Sequence, residues 1–506
     1  MKPLLPAVAL ALLLSACSST EETRNPLSPA VLLTNEQTLT PVLAPMSPAD
    51  ARSPSDPAER DAMLAEGFGD LVTGPGEGYV TRTPDGSDPP APGAAPKRLV
   101  RFVHMPDLQL ADDESPTRLA AFDTAGLTAG AFRPQDAFEC RILNAAVRTV
   151  NAVSKKDPFD FLLLGGDNAD SSQQNEVDWV MAILDGASKV ECDSGADDDP
   201  VPGPNNDGKD PFTAPGLTVP WYWVTGNHDI LVQGNLPVTA EKDTEALGDN
   251  SVGGTRDWSQ PGGPIFKGPV VPDPNRHLLD RKALMSRIAA DGDGHGVGSA
   301  QMASGKAIYT FDVPDTPLRF LVLDTAAESG GSEGLIRQGD IDTVIKPLLD
   351  QAKTDGKIVS LASHHAVTSL GDGHGLGGSV QADAVTPDAW LDFIGGYDNV
   401  LLSFVGHSHE NRVRVIGPQS GGHSWWEVMT SALADFPNQL RVIEIWDEDN
   451  GWLRVHATNL DWNDMGDKVA REGRKLGVLD YVSGWIPGEA PGTPEDRNVD
   501  LWIQKP

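Results

Sequence analysis

Five short runs of the sequence carry side chains that bind metal ions or move protons. They are His104-Met105-Pro106-Asp107-Leu108-Gln109, Gly166-Asp167-Asn168-Ala169-Asp170, Gly226-Asn227-His228-Asp229, Ser363-His364-His365 and Gly406-His407-Ser408-His409. Carboxylates and amide oxygens suit hard divalent ions, while imidazoles suit zinc, iron, manganese or nickel. A mixture suits a two-metal hydrolytic centre, in which paired cations activate water and neutralise charge on a reacting oxyanion. Taken singly, a GNHD is most often a turn behind a strand and an HxH two partly exposed histidines. All five in order, each after a strand-like run, have no structural reason to occur together.

The stretches preceding the five runs are apolar and read as buried strands: Leu99 to Val103, Phe159 to Leu164, Val219 to Val224, Ile358 to Leu361 and Val400 to Val405, with Phe320 to Leu323 as a further strand. Open α/β sheets bind ligands beyond the carboxyl ends of their strands, so residues distant in sequence can converge there. Phe138, Ile142, Ala146 and Val150 recur every fourth residue, as one helix face does. A second helix is predicted through Ile341, Val344, Ile345, Leu348 and Leu349, kinked or broken by Pro347. Trp425 to Met429, Leu440 to Trp446 and Trp452 to Thr458 alternate like antiparallel strands, predicted to form a second sheet packed on the first. The expected class is α/β.

In this order the motifs resemble the calcineurin-like metallophosphoesterase superfamily, whose pattern is DxH, GDxxD, GNH(D/E), a later strand-end histidine, and GHxH. The resemblance covers roughly Leu99 to Trp462. It implies a four-layer α/β/β/α sandwich with two mixed sheets, and hydrolysis of a phosphate mono- or diester by a hydroxide bridging two divalent ions (Mn, Fe, Zn or Mg). Carried over residue by residue, it makes Asp107, Gln109 and His409 ligands of one ion and Asn227, His364 and His407 ligands of the other, with Asp167 bridging. His228 becomes the proton donor, with Asp170 as its orienting carboxylate. His364 is preferred to His365 because the family aligns the first of such a pair, and His104 is expected to be hydrogen-bonded near the site rather than a ligand. Gln109 departs from the usual histidine and, as a neutral amide, is expected to favour a harder ion such as Mn or Mg. Purple acid phosphatases carry a tyrosine where Asp170 stands, so a purple di-iron centre is not expected.

The rest of the chain bounds this reading. Residues 1–17 (a basic Lys2, an apolar run from Leu4 to Leu14, then Leu14-Ser15-Ala16-Cys17) have the layout of an export signal and resemble a lipobox. A bacterial lipoprotein, exported and held to a membrane of the cell envelope through lipidated Cys17, is the expectation. Residues 18–97, rich in Pro, Ala and Ser, read largely as a tether that could in part drape over the domain. The catalytic domain is expected over 98–465, with surface insertions at 192–213 and 233–304, and a C-terminal extension over 466–506. Asp291-Gly292-Asp293-Gly294-His295-Gly296 lacks the closing Glu of an EF-hand and is not expected to bind calcium. Cys140 and Cys192 form either a disulfide or two unpaired thiols. A net charge of -34 repels polyanions, so no nucleic-acid polymer is expected as partner; the small phosphate ester that the resemblance implies stays compatible, because bound divalent ions can dominate the local field. A non-catalytic surface lipoprotein retaining the fold is the alternative, disfavoured by the retained proton donor and nearly full ligand set.

Overall fold

Phe161–Leu164, Ile358–Ala362 and Val400–Val405 are buried at every position. Strands covered on both faces belong in parallel sheets flanked by other layers, and the computed structural model places them there. It describes residues 31–126, 128–419, 421–486 and 490–506; the expected signal segment and Cys17 lie outside the described residues. A seven-stranded sheet runs in the order Val80–Arg82, Val499–Gln504, Trp452–Asp461, Gln439–Asp447, Lys97–Met105, Phe161–Leu164, Trp221–Tyr222, the last three mutually parallel. A six-stranded sheet runs Tyr309–Asp312, Leu318–Val322, Ile358–Ala362, Val400–Val405, Trp425–Met429, Arg412–Ile416, its four middle strands parallel.

The sheets meet through aromatic rings: Phe102 stands edge-on to Phe320 at 5.4 Å and to Phe404 at 5.2 Å. On Leu318–Val322, Phe320 and Val322 enter this shared core, whereas Leu321 joins Ile345, Leu349, Trp390 and Ile394 of the outer helices, as strand alternation requires. The helices Glu139–Lys156 and Lys468–Val482 pack together against the other sheet's core. Gly473 permits their close approach, because a Cβ there would lie 2.6 Å from Phe138 Cβ. The arrangement is the expected mixed α/β sandwich. Ahead of Pro347 the helix widens into a π-turn, Ile341–Ile345, and continues as Lys346–Thr354, which accommodates the missing N–H without breaking the rod.

Several boundaries differ from the sequence expectations. The late strands do not form one separate sheet: Trp425–Met429 pairs parallel to Val400–Val405, while Gln439–Asp447 and Trp452–Asp461 join the sheet of Lys97–Met105. Apolar alternation identifies a strand and not its neighbour. Only Trp221–Tyr222 of the 219–224 run is a strand. Residues 31–97 are docked rather than a free tether: Met63, Phe68 and Leu71 pack on Val478, Leu479 and Val482, and Val80–Arg82 pairs with Val499–Gln504. Residues 466–506 are likewise integral, supplying that strand and the Lys468–Val482 helix. Within 233–304, Leu284, Met285 and Ile288 are fully buried. Cys140 and Cys192 are joined in a disulfide that fastens the start of the 192–213 segment to the Glu139–Lys156 helix. No helix among the described residues is long and apolar enough to cross a membrane.

Candidate metal centre

All five chemical runs fall at carboxyl ends of parallel strands, three on one sheet and two on the other. Across this seam, His364 Nε2 lies 2.9 Å from Asp167 Oδ2 and 3.9 Å from Asp107 Oδ1, and His409 Nε2 lies 3.3 Å from Asp107 Oδ1. His407 turns its ring toward His364, with centroids 5.1 Å apart, and its N–H donates to Asp107. Asp107 thus sits between the two halves of the site. The Gln109 N–H donates to Asp167 O at 2.8 Å, bringing Gln109 to the same place. Five of the seven predicted ligands hold left-handed backbone: Asp107, Gln109, Asp167, His407 and His409, with φ between 42° and 73°. Asp and His tolerate this region better than most residues, yet such clustering marks a turn geometry kept for the sake of a site.

Hydrogen bonds fix the histidine tautomers. His364 Nδ1 lies 2.8 Å from Gly165 O and His409 Nδ1 2.5 Å from Asp435 Oδ2. Those oxygens only accept, so each Nδ1 carries a proton and Nε2 is the ring atom turned toward the site carboxylates, free to bind a cation once its own proton is displaced. His365 is different. Its Nε2 donates to Ser332 O and its Nδ1 accepts from Thr325 Oγ1, leaving no lone pair free. His104 is buried and bonded to Thr430 Oγ1. His228 Nδ1 faces only acceptors, Asp170 O at 2.8 Å and Asp170 Oδ1 at 3.2 Å, so its Nε2 is the atom left to exchange a proton with a ligand. The His228 N–H donates to Asp167 Oδ1 at 2.8 Å, so one residue anchors a carboxylate and aims a ring.

These residues fit a pair of cations. Gln109 Oε1 and Asn227 Oδ1 are buried without hydrogen-bond partners, a costly condition unless something else satisfies them. Asn227 Nδ2 donates to Gly234 O, which leaves its Oδ1 as the free atom. The electrostatics point the same way. Burial alone would lower the pKa of His364, but the Asp167 and Asp107 carboxylates override it and push His364 up to about 9. His409 is pushed up to about 10 against burial by Asp107 and Asp435. His407, half-buried, is lowered to about 3 by desolvation and by the neighbouring His364. Despite its burial, Asp167 is held far below the usual carboxylate range by His364 and His228. The pocket therefore demands positive charge, and the donors are mixed oxygen and imidazole.

Further side chains support the centre from behind. Asp229 accepts from the backbone N–H groups of Gly226, Asp167, Asn168 and Ala169 at 2.8–3.0 Å, tying the second and third runs together. Its place as the last residue of GNHD was the available signal. Asp435 and Arg133, behind His409, stand in no motif. Gly234, at the start of the second insertion, walls the site: a Cβ there would lie 2.3 Å from the His228 ring.

Two mixed sheets with clustered ligands at their joined carboxyl edges define a metal-dependent hydrolytic class. Residues 100–411, more than half of the chain, match the family described as calcineurin-like phosphoesterase, and the chain belongs to that family. It is accordingly a metal-dependent phosphoesterase in general class. No curated protein matches it. Among solved structures it is similar to a purple acid phosphatase isolated from yellow lupin (Lupinus luteus) seeds, at 10% identity over 76% of this chain and 53% of that one, with a TM-score of 0.31. The chain thus spans about half the length of the lupin protein. It is also similar to GAP50, the anchor in the inner membrane complex of Plasmodium, at 11% identity over 78% of this chain and 99% of that one, with a TM-score of 0.26.

Proposed function

We propose that this protein hydrolyses a small phosphate mono- or diester at a dinuclear divalent-metal centre. Asp107, Gln109 and His409 would hold one ion and Asn227, His364 and His407 the other, with Asp167 as the shared ligand. The observation that carries the reading is the pair of buried, unpartnered amide oxygens of Gln109 and Asn227 beside the crowded Asp107, Asp167 and His364. Bound cations would supply Lewis acidity, a nucleophile at neutral pH and neutralisation of phosphoryl charge. The chain supplies the rest. His228, with Nδ1 committed to Asp170, offers Nε2–H to the departing oxygen and prevents an unprotonated alkoxide from forming. Asp229 and Gly234 keep His228 and Asn227 in register. The lipobox-like run Leu14-Ser15-Ala16-Cys17 supports the further proposal that the enzyme is exported and tethered through Cys17.

The test is hydrolysis of bis(4-nitrophenyl) phosphate by the purified protein after chelation and reconstitution with Mn. Activity should return with about two equivalents of metal, and Asn227→Ala should abolish it. A protein that binds two ions yet hydrolyses no phosphate ester in a broad panel refutes the proposal.

A further inference from the structure

We infer that Asp435 and Arg133 are positioning residues that lock the ligand His409 and the proton donor His228 into one charged frame; this rests on the reading of those two histidines given above. His409 follows Val400–Val405 of the six-stranded sheet, and His228 follows Trp221–Tyr222 of the seven-stranded sheet. Their backbones belong to different layers, so something besides local chain geometry must keep the rings in a constant relation.

Side chains form that link. Asp435 Oδ2 accepts a hydrogen bond from His409 Nδ1 at 2.5 Å, while Oδ1 accepts from Arg133 Nε at 2.9 Å and Gln135 Nε2 at 3.1 Å. With both oxygens engaged the carboxylate cannot rotate. Arg133 reaches toward the other half, its Nη1 3.9 Å from Asp170 Oδ1, the atom that lies 3.2 Å from His228 Nδ1. The second oxygen of Asp170 accepts from Arg118 Nη1 at 3.0 Å, and Arg118 Nη2 donates to Asp136 Oδ2 at 2.6 Å. Every member from Asp435 to Asp136 is buried. Buried ion pairs recover little net stability over apolar replacements of similar volume. What a fork of fixed directions provides instead is geometry.

The experiment uses the full chain reconstituted with Mn, with Asp435→Asn, Arg133→Met, Arg133→Lys and His228→Ala. Bound metal is titrated, and kcat/KM is measured over aryl phosphodiesters whose leaving groups span a range of pKa. Asp435→Asn should weaken one of two Mn sites by about 10–100-fold. Arg133→Met should keep both sites but lose about 10–100-fold in kcat/KM for the poorest leaving groups and little for 4-nitrophenolate. That steepening should parallel His228→Ala and be partly reversed in Arg133→Lys. A merely structural role would lower kcat/KM evenly across the series, and that result overturns the inference, as does an unaltered Mn affinity in Asp435→Asn. Should Arg133→Met not fold, Arg133→Lys and Asp435→Asn are read against the same two outcomes. Should His228→Ala leave the leaving-group dependence unchanged, the proton-donor assignment falls, and the Mn affinity of Asp435→Asn alone decides.

Discussion

Gly226 touches no ligand in the metal centre through a side chain, yet Gly226→Ala should disable it. A Cβ at this position would lie 2.0 Å from Asp167 Oδ1 and 2.4 Å from Asp167 N, where ordinary contact begins at 3.4 Å. Relief requires the carboxylate oxygen to move by about 1.4 Å and the amide by about 1.0 Å. The amide cannot move freely, because it donates to Asp229 Oδ2 at 3.0 Å. The displacement therefore falls on Asp167, the residue proposed to be shared by the two ions. Overpacking of this kind costs about 1–3 kcal/mol, which a fold of this size should survive. A misplacement of about 1 Å at a reacting centre costs on the order of 100-fold in rate. The variant should remain folded by circular dichroism, melt a few degrees lower, retain less than the full metal complement after dialysis, and lose about 100-fold or more in kcat/KM. Gly339→Ala, whose Cβ meets nothing within 4 Å, is the control and should change neither quantity. Full metal content and unchanged kcat/KM in Gly226→Ala would refute the claim that backbone packing holds Asp167 in place.

Asp229→Ala strands four backbone donors, each costing about 1–3 kcal/mol when buried and unpaired. Part is offset, because burial and the neighbouring Asp167 already push the Asp229 carboxyl up to about 7. A net loss of about 3 kcal/mol or more in urea unfolding is expected, and a neutral result would remove Asp229 from the scaffold. Chelation should lower the melting temperature, since Asp107 and Asp167 lose their counter-charge, and Mn should restore it. A ligand at 100 times its Kd contributes about 2.7 kcal/mol, so identical melting with and without Mn would argue against ions bound there. Reducing Cys140–Cys192, whose partners are 52 residues apart, should cost up to about 4 kcal/mol by loss of loop constraint. It should leave kcat/KM of the folded protein intact, as the bridge ties a peripheral segment; parallel loss of activity at low temperature would show otherwise.

The class of fold was legible because its parallel strands are short, apolar and buried on both faces, a pattern few other arrangements need. Their pairing was not. Trp425–Met429 and Gln439–Asp447 look alike in sequence, yet they occupy different sheets, the first beside the nearby Val400–Val405 and the second beside Lys97–Met105, hundreds of residues away. Residues 31–97 misled for a related reason. Too few apolar side chains to nucleate a core can still suffice to dock on one, and Met63, Phe68 and Leu71 do so on the helix Lys468–Val482.

The site divides along the same line. Ligand atoms need particular chemistry at strand ends, so Asp107, Asp167, Asn227, His364, His407 and His409 stand out as letters in an order. The preference for His364 over His365 rests on the family resemblance; the structure adds that Thr325 and Ser332 are bonded to the two ring nitrogens of His365, which also stands beside His364 and His407. Residues that aim those ligands obey a weaker code. Any buried acceptor could hold the His409 Nδ1 proton, and nothing in the stretch around Asp435 distinguishes it from a surface turn. Its function comes from where the Phe436–Pro437 loop returns, with Leu433 N and Ala434 N bonded to Pro106 O and Asp107 O. That return places Asp435 behind His409 and beside Arg133, so the electrostatic frame of the centre is a product of tertiary closure and becomes readable only when the two sheets are brought together.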